Sequence, residues 1–282
     1  MAVQQWISQN ILNRVVPHSA AFAYVPKRRL IEHAQRHCGA DWLVKVDIKD
    51  FFSSISERQV FDVFLSLGYP KLLAFEMARL CTRATPKRIG TRWRRIAEEH
   101  VISDYSCNFI GSLPQGAPTS PALSNLVCIE LDKELTQLAM TKSATYSRYA
   151  DDLCFSFIGG NRQSAFDLKR EVSKVLWTHG FSENSKKTRV VPPGARKVLT
   201  GLNVNSTQPT VPKEVRDLVR MHLHYAKLRG IAEHCKERGF RSVIGFKNHL
   251  FGLIGYVASV DTNRGSDFLR QFNSLPWVNF DL

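Results

Sequence analysis

Apolar positions recur at helical spacing in some stretches and at strand spacing in others, and each stretch predicts its own element. In residues 3–16, Trp6, Ile7, Ile11, Leu12 and Val15 share one side of a helical repeat, and Pro17 ends it. Helical character returns from about Leu30. The run Trp42-Leu-Val-Lys-Val-Asp-Ile48 is the strongest strand of the N-terminal half, with Asp47 embedded among apolar neighbours. Ser54 or Ser56 then caps a helix over Glu57–Leu67 that Gly68 stops, and 70–80 is helical again. Gly111–Pro121, rich in glycine and proline, predicts a structured loop, and 122–140 a long amphipathic helix. Thr145–Phe157 reads as a β-hairpin: Tyr146, Tyr149, Phe155 and Phe157 favour extended backbone, and Asp151-Asp152 fall where the turn lies. Ala165–Leu176 has helical spacing and Gly180 closes it. Strand-like runs at Thr188–Val191 and Lys197–Val204 flank Pro192-Pro193-Gly194. From Val211 the chain is mostly helical, over Glu214–Leu228 and Val243–Val260, with a short aromatic tail. Pro209 and Pro212 mark the expected subdomain boundary.

Composition adds a partner class. The chain has 282 residues, 44% of them hydrophobic, which is enough for a sizeable core. Lys and Arg total 39 against 25 Asp and Glu, a formal charge of +14. A folded chain this basic points to a polyanion, nucleic acid before a membrane surface, because no basic block sits beside an apolar anchor. The six cysteines are scattered, with no CxxC pair and no matching His pairs, which argues against a zinc site and for a reducing cytoplasm. The first twenty or so residues lack the apolar core of a signal peptide. No apolar run reaches the roughly 18 residues a membrane span requires.

Several residues then become candidates for chemistry. A carboxylate near the end of an apolar strand is costly unless paired or metal-bound, so Asp47 is either a ligand or a cap for the turn that follows. Asp151-Asp152 is either a solvated turn or a cradle for a divalent cation. Arg83, Lys87, Arg88, Arg92, Arg94 and Arg95 surround Trp93, a composition suited to phosphates plus base stacking, or to a solvated loop. Lys27, Arg28 and Arg29 either touch phosphate or form an exposed basic turn.

In order, these acids and loops resemble the reverse transcriptase family over almost the whole chain. Val44-Lys-Val-Asp47-Ile-Lys-Asp-Phe-Phe52 is similar to the first palm motif, and Leu113-Pro-Gln-Gly116-Ala-Pro-Thr-Ser-Pro121 to the second. Tyr149-Ala-Asp-Asp152 resembles the third, and Gly180-Phe-Ser-Glu-Asn-Ser-Lys-Lys-Thr-Arg189 the fourth. Within the family the chain is most similar to bacterial retron reverse transcriptases. His33-Ala-Gln-Arg-His37 resembles their NAxxH element with His for Asn, and Leu199-Thr200-Gly201 their VTG triplet with Leu for Val. The basic, Gly-rich fingers hairpin that grips the triphosphate in the family has no match here. Either a segment upstream of Met1 supplies it, or Lys27–Arg29 substitute, or triphosphate binding is impaired.

The resemblance implies an α+β right-hand polymerase: an antiparallel palm sheet with helices, reduced fingers and a helical thumb. The expected parts are 1–41 (partial fingers), 42–208 (palm, with fingers inserted at about 68–112) and 209–282 (thumb). It implies RNA-directed DNA polymerase activity with two Mg²⁺ ions, or Mn²⁺, held by Asp47, Asp151, Asp152 and the carbonyl of Ile48. Phe52 would be the steric gate against a ribose 2′-hydroxyl, and Gln115 and Gly116 would line the nucleotide pocket. Lys187 or Lys186 would protonate the leaving pyrophosphate, and Tyr149 would abut the primer end. Arg92, Arg94, Arg95, Lys213, Arg216 and Arg220 would hold primer and template, and 250–260 would be thumb core. A retron-type enzyme implies a structured noncoding RNA as template and 2′-hydroxyl primer, a cDNA product, dNTP substrates, an effector protein, antiphage defence and a cytoplasmic location. The rivals are another bacterial reverse transcriptase, intron-derived or defence-associated, and a catalytically weak RNA-binding scaffold.

Overall fold

The predicted strand at 42–48 forms as β1 (Trp42–Asp47), an inner strand of a four-stranded antiparallel sheet. The computed structural model describes residues 1–84, 102 and 111–277. These fall into two compact units, Met1–Ala195 and Arg196–Leu282.

In the first unit, β2 (Arg83–Ala84) and β3 (Gly111–Ser112) form a separate two-stranded ribbon, while β1 pairs on one side with β5 (Asp152–Phe157), which carries β4 (Thr145–Tyr149), and on the other with β6 (Arg189–Val191). Register sorts the side chains into two faces. Val44 and Val46 lie opposite Phe155 and Leu153, all fully buried, and Trp42 stacks on Phe157 at 6.4 Å. That face is covered by two helices, Ile129–Thr141 against β4 and Arg162–Thr178 against β1. The other face carries Asp47 and Lys45 beside Asp152 and Cys154, with Tyr149 and Ser147 next in line.

Local signals explain several helix boundaries. Ser56, not Ser54, caps the helix Glu57–Ser66: its hydroxyl accepts from Gln59 N while Gln59 Oε1 accepts from Ser56 N, a capping box. Asn161 caps Arg162–Thr178, and its Oδ1 accepts from Ser164 N at 2.9 Å. Two expected helices are interrupted. The first ends at Asn10, whose amide donates to Trp6 O at 3.0 Å, and continues only as a 3₁₀ turn over Leu12–Arg14. A side chain that bonds its own backbone competes with the helix in this way. The span expected at 122–140 is Ser120–Val127 and Ile129–Thr141, kinked at Cys128 while backbone bonds run through the junction.

The second unit starts upstream of the Pro209–Pro212 pair. Lys197–Val204 is not one strand but a hairpin, Val198–Leu199 with Leu202–Asn203, turning on Thr200 (φ 46°) and Gly201 (φ 85°). Positive φ at both turn positions is the hairpin-favoured geometry, and threonine disguises it in the sequence. Asn203 and Thr210 exchange backbone hydrogen bonds, and Arg196 pairs with Glu214 at 2.6 Å, so 196–212 folds onto the helix Lys213–Arg229. Helices Ile231–Glu237, Val243–Ala258 and Thr262–Asn273 complete the unit. The last was hidden in the expected tail. Its Gly265 lies so close to Ala258 that an added Cβ would sit 2.3 Å from Ala258 Cα. Leu250, Ile254 and Val257 are buried, as expected of a core run, while Phe251 is exposed. Among the described residues no helix is long and apolar enough to cross a membrane.

Candidate active site

The acids converge at one end of the sheet. Tyr149 pairs with Asp152, which leaves Ala150 and Asp151 as a two-residue turn. Ala150 has φ 57°, a left-handed conformation that costs an alanine about 1–2 kcal/mol. Asp152 lies directly across from Asp47, and Ile48 N donates to Asp151 O at 2.9 Å. Directly opposed residues bring their Cβ atoms to about 4.5–5.5 Å, a repulsive spacing for two carboxylates. Asp152 accordingly holds its proton more tightly than an ordinary carboxylate. Burial is the main cause; Asp151 and Asp47 push the same way, against Lys45 and Lys187.

Asp47 is 6% exposed. Its Oδ2 accepts from Lys187 Nζ at 3.1 Å, while its Oδ1 is buried without a hydrogen-bond partner among the described residues. The loop carrying Lys187 is stitched to β1: Lys49 N donates to Ser182 O and Asn184 N to Asp47 O, both at 2.8 Å. Of the two candidate lysines, Lys187 is the one held at the acids, and its hydrogen bond to Asp47 raises its pKa. The donors here are all hard oxygens, the orphaned Oδ1 included, and they fit a divalent cation of the Mg²⁺ type. Among the described residues no three carboxylate, His or Cys groups are already closed into a metal cage.

Around the acids, Phe51 and Phe52 separate. Phe51 is buried, 6.1 Å from the Phe181 ring, whereas Phe52 is half-buried, 6.3 Å from the Tyr24 ring. Gln115 and Gly116 form an exposed turn, anchored by Leu113 N to Ile55 O and Ser120 Oγ to Pro114 O. Gly116 has φ 87° with open space where a Cβ would be, so the turn's geometry, not crowding, calls for glycine. Tyr149 is half-buried with its ring 5.5 Å from His33.

Other candidates lie elsewhere. Arg28 Nη1 donates to the Ser19 and Ala21 carbonyls at 2.6 Å, and Arg29 pairs with Glu32. Both arginines therefore brace the chain, as in the basic-turn alternative. Arg92, Arg94 and Arg95 lie outside the described residues. Lys213, Arg216 and Arg220 share one helix of the second unit; Lys213 is exposed, Arg220 pairs with Asp217 at 2.8 Å, and Arg216 Nε is buried without a hydrogen bond among the described residues.

Two features escaped the sequence reading. Arg148 is fully buried behind the acids and forms a fork–fork pair with Asp132 (2.8 and 2.6 Å); its Nη1 reaches Asn125 Oδ1 and Ala150 O. The only available signal was a cation in a strand that alternates with aromatic rings. The second is the burial of His33 and His37, which the sequence marked only as a motif. His37 bonds Ser156 and Ser147 at 2.7 and 2.6 Å, whereas neither His33 nitrogen has a partner among the described residues. Burial pushes His37 down to about 3 and His33 to about 4, from 6.5. The unfolded chain therefore binds protons that the fold refuses, so this contribution to stability is complete above about pH 6.5 and is lost as pH falls toward those values. His37→Gln is expected to flatten the decline of melting temperature between about pH 6.5 and 4. An unchanged slope in a thermal melt series would contradict the buried neutral imidazole.

A four-stranded palm-like sheet with three acids at the end of its inner strands has a counterpart among known proteins. Residues 2–214 match the family described as Reverse transcriptase (RNA-dependent DNA polymerase), and the chain belongs to the reverse transcriptase family. It is similar to the retron Mx162 reverse transcriptase of Myxococcus xanthus, 33% identical over 97% of this chain and 56% of the relative. It is also similar to two Escherichia coli proteins. The retron Ec86 reverse transcriptase is 27% identical over 96% of this chain and 76% of the relative, and retron Ec73 is 30% identical over 98% and 81%. The chain thus spans little more than half the length of the Mx162 relative.

Proposed function

We propose that this chain is an RNA-directed DNA polymerase of the retron type. The observation that carries the reading is the pairing of Asp47 with Asp152 beside Asp151, with a buried Asp47 oxygen that has no partner among the described residues. Asp47, Asp151 and the Ile48 carbonyl would hold two Mg²⁺ ions, with Asp152 as the further carboxylate. When bound, the metal supplies activation of the primer hydroxyl and neutralisation of charge at the transferred phosphate.

The chain's own residues do the rest by positioning. The Phe52 ring excludes a 2′-hydroxyl, the Gln115–Gly116 turn lies along the nascent base pair, and Tyr149 abuts the primer end. Lys187, kept as an ammonium by Asp47, donates a proton to the departing pyrophosphate. Lys213, Arg216 and Arg220, with Arg92, Arg94 and Arg95, meet the phosphates of an A-form duplex, consistent with the +14 charge. In this reading 1–41, 42–208 and 209–282 act as partial fingers, palm and thumb. A structured noncoding RNA is both template and 2′-hydroxyl primer, and the complex acts in the cytoplasm with an effector protein in antiphage defence.

Primer extension tests the reading. The purified protein with its noncoding RNA, Mg²⁺ and dNTPs is expected to yield cDNA; RNA binding without synthesis would make it a scaffold instead. In the same assay Phe52→Ala is expected to weaken discrimination against ribonucleotides about tenfold or more. Unaltered sugar selectivity would remove Phe52 from the gate.

A further inference from the structure

The segment Ala20–Ala23 is buried and runs parallel to β4: Arg148 N donates to Ala20 O and Phe22 N to Arg148 O, both at 2.8 Å. Ala23 and Tyr24 form the turn that follows this bridge. The Tyr24 backbone has φ 61°, an outlier for an aromatic residue, and its ring is 51% exposed. A strained backbone that holds an aromatic ring half in solvent does not serve core packing. The ring stands 6.3 Å from Phe52, tilted by 46°.

The strain is held by one polar chain. Asn125 Nδ2 donates to Ala23 O at 2.8 Å, and Asn125 Oδ1 accepts from Arg148 Nη1 at 3.0 Å. The same Nη1 reaches Ala150 O at 3.2 Å. One amide and one guanidinium thus fix the carbonyl before Tyr24 and the carbonyl before Asp151. Burial raises the Tyr24 pKa, and the charge of Asp151 raises it further.

We infer that Tyr24, packed against Phe52, extends the aromatic wall of the nucleotide sugar pocket, and that Asn125 is the positioning residue that holds it there. The inference rests on the polymerase reading. Phe52 alone presents one edge to the sugar; a second ring packed 6.3 Å from it widens that edge and fixes its position.

The test is single-nucleotide incorporation of dATP and ATP on an RNA hairpin primer–template. Tyr24→Gly is the informative variant, because glycine adopts this φ freely and the ring is removed without added strain. The expected result is a KM for dATP raised about tenfold, a kcat altered less, and deoxy-over-ribo selectivity lowered about tenfold, at an undiminished melting temperature. Tyr24→Phe, which keeps the ring, is expected to recover most of that selectivity, and Asn125→Ala to shift KM in the same direction as Tyr24→Gly. A wild-type chain that makes no DNA overturns the polymerase reading itself. A wild-type chain that makes DNA, with Tyr24→Gly matching it in KM and selectivity, overturns this inference alone.

Discussion

Asp47→Asn is expected to lower DNA synthesis roughly 10³-fold, while the protein stays folded and binds RNA at least as tightly. Asparagine keeps the shape of the side chain and removes its charge. That charge faces Asp152 across the strand pair, and one of its oxygens is buried without a partner among the described residues. Its loss relieves repulsion, and Asp152 moves back toward an ordinary carboxylate. The ion pair given up with Lys187 contributes little, because Lys187 is 65% exposed. Melting temperature should therefore hold or rise. Mg²⁺ should stabilise the wild-type chain and not the variant, since a ligand that binds only the folded state adds stability by mass action. Asp151→Asn combined with Asp152→Asn should behave alike in primer extension. If Asp47→Asn instead melts well below the wild type and still synthesises DNA, the acid is a structural cap and the site lies elsewhere.

What could be read from the sequence followed from burial. An acid within Leu-Val-Lys-Val-Asp-Ile marks an unusual strand end, and an acidic pair between aromatic strand formers marks a turn. Once antiparallel pairing is granted, Asp47 opposite Asp152 follows from register. The three acids, a lysine beside them and the separation of Phe51 from Phe52 all lie within reach of the motifs. What could not be read depends on tertiary partners. Asp132 looks like one more acid on a helix, and nothing local reveals that it pairs with Arg148, 16 residues on. Tyr24 carries no mark of its left-handed backbone, because the residues that impose it, Asn125 and Arg148, are remote in sequence. Asn10 and Thr200 mislead for the opposite reason. Their surroundings favour a regular element, and a side-chain bond or a tight turn prevails.

Arg148→Met is expected to destabilise the fold by about 3–5 kcal/mol, because it leaves the Asp132 carboxylate buried and unpaired. For a unit of this size that corresponds to a loss of roughly 10 °C in melting temperature. Tyr146 OH would remain as a neutral donor to Asp132 Oδ1, too little to hold the charge, and Asn125 Oδ1 and Ala150 O would lose a donor. The paired variant Arg148→Met with Asp132→Leu removes the stranded charge and should recover much of the stability, since a buried ion pair replaced by apolar side chains of similar volume is often neutral. Synthesis should not recover with it. The Ala150 carbonyl is still without the guanidinium, and Ala150 must hold φ 57° to place Asp151 at the end of the sheet. Thermal melts and primer extension on the same preparations separate the two roles. Stability regained with synthesis still impaired makes Arg148 a positioning residue for the acidic turn. Synthesis that returns in step with stability leaves it only a core pair.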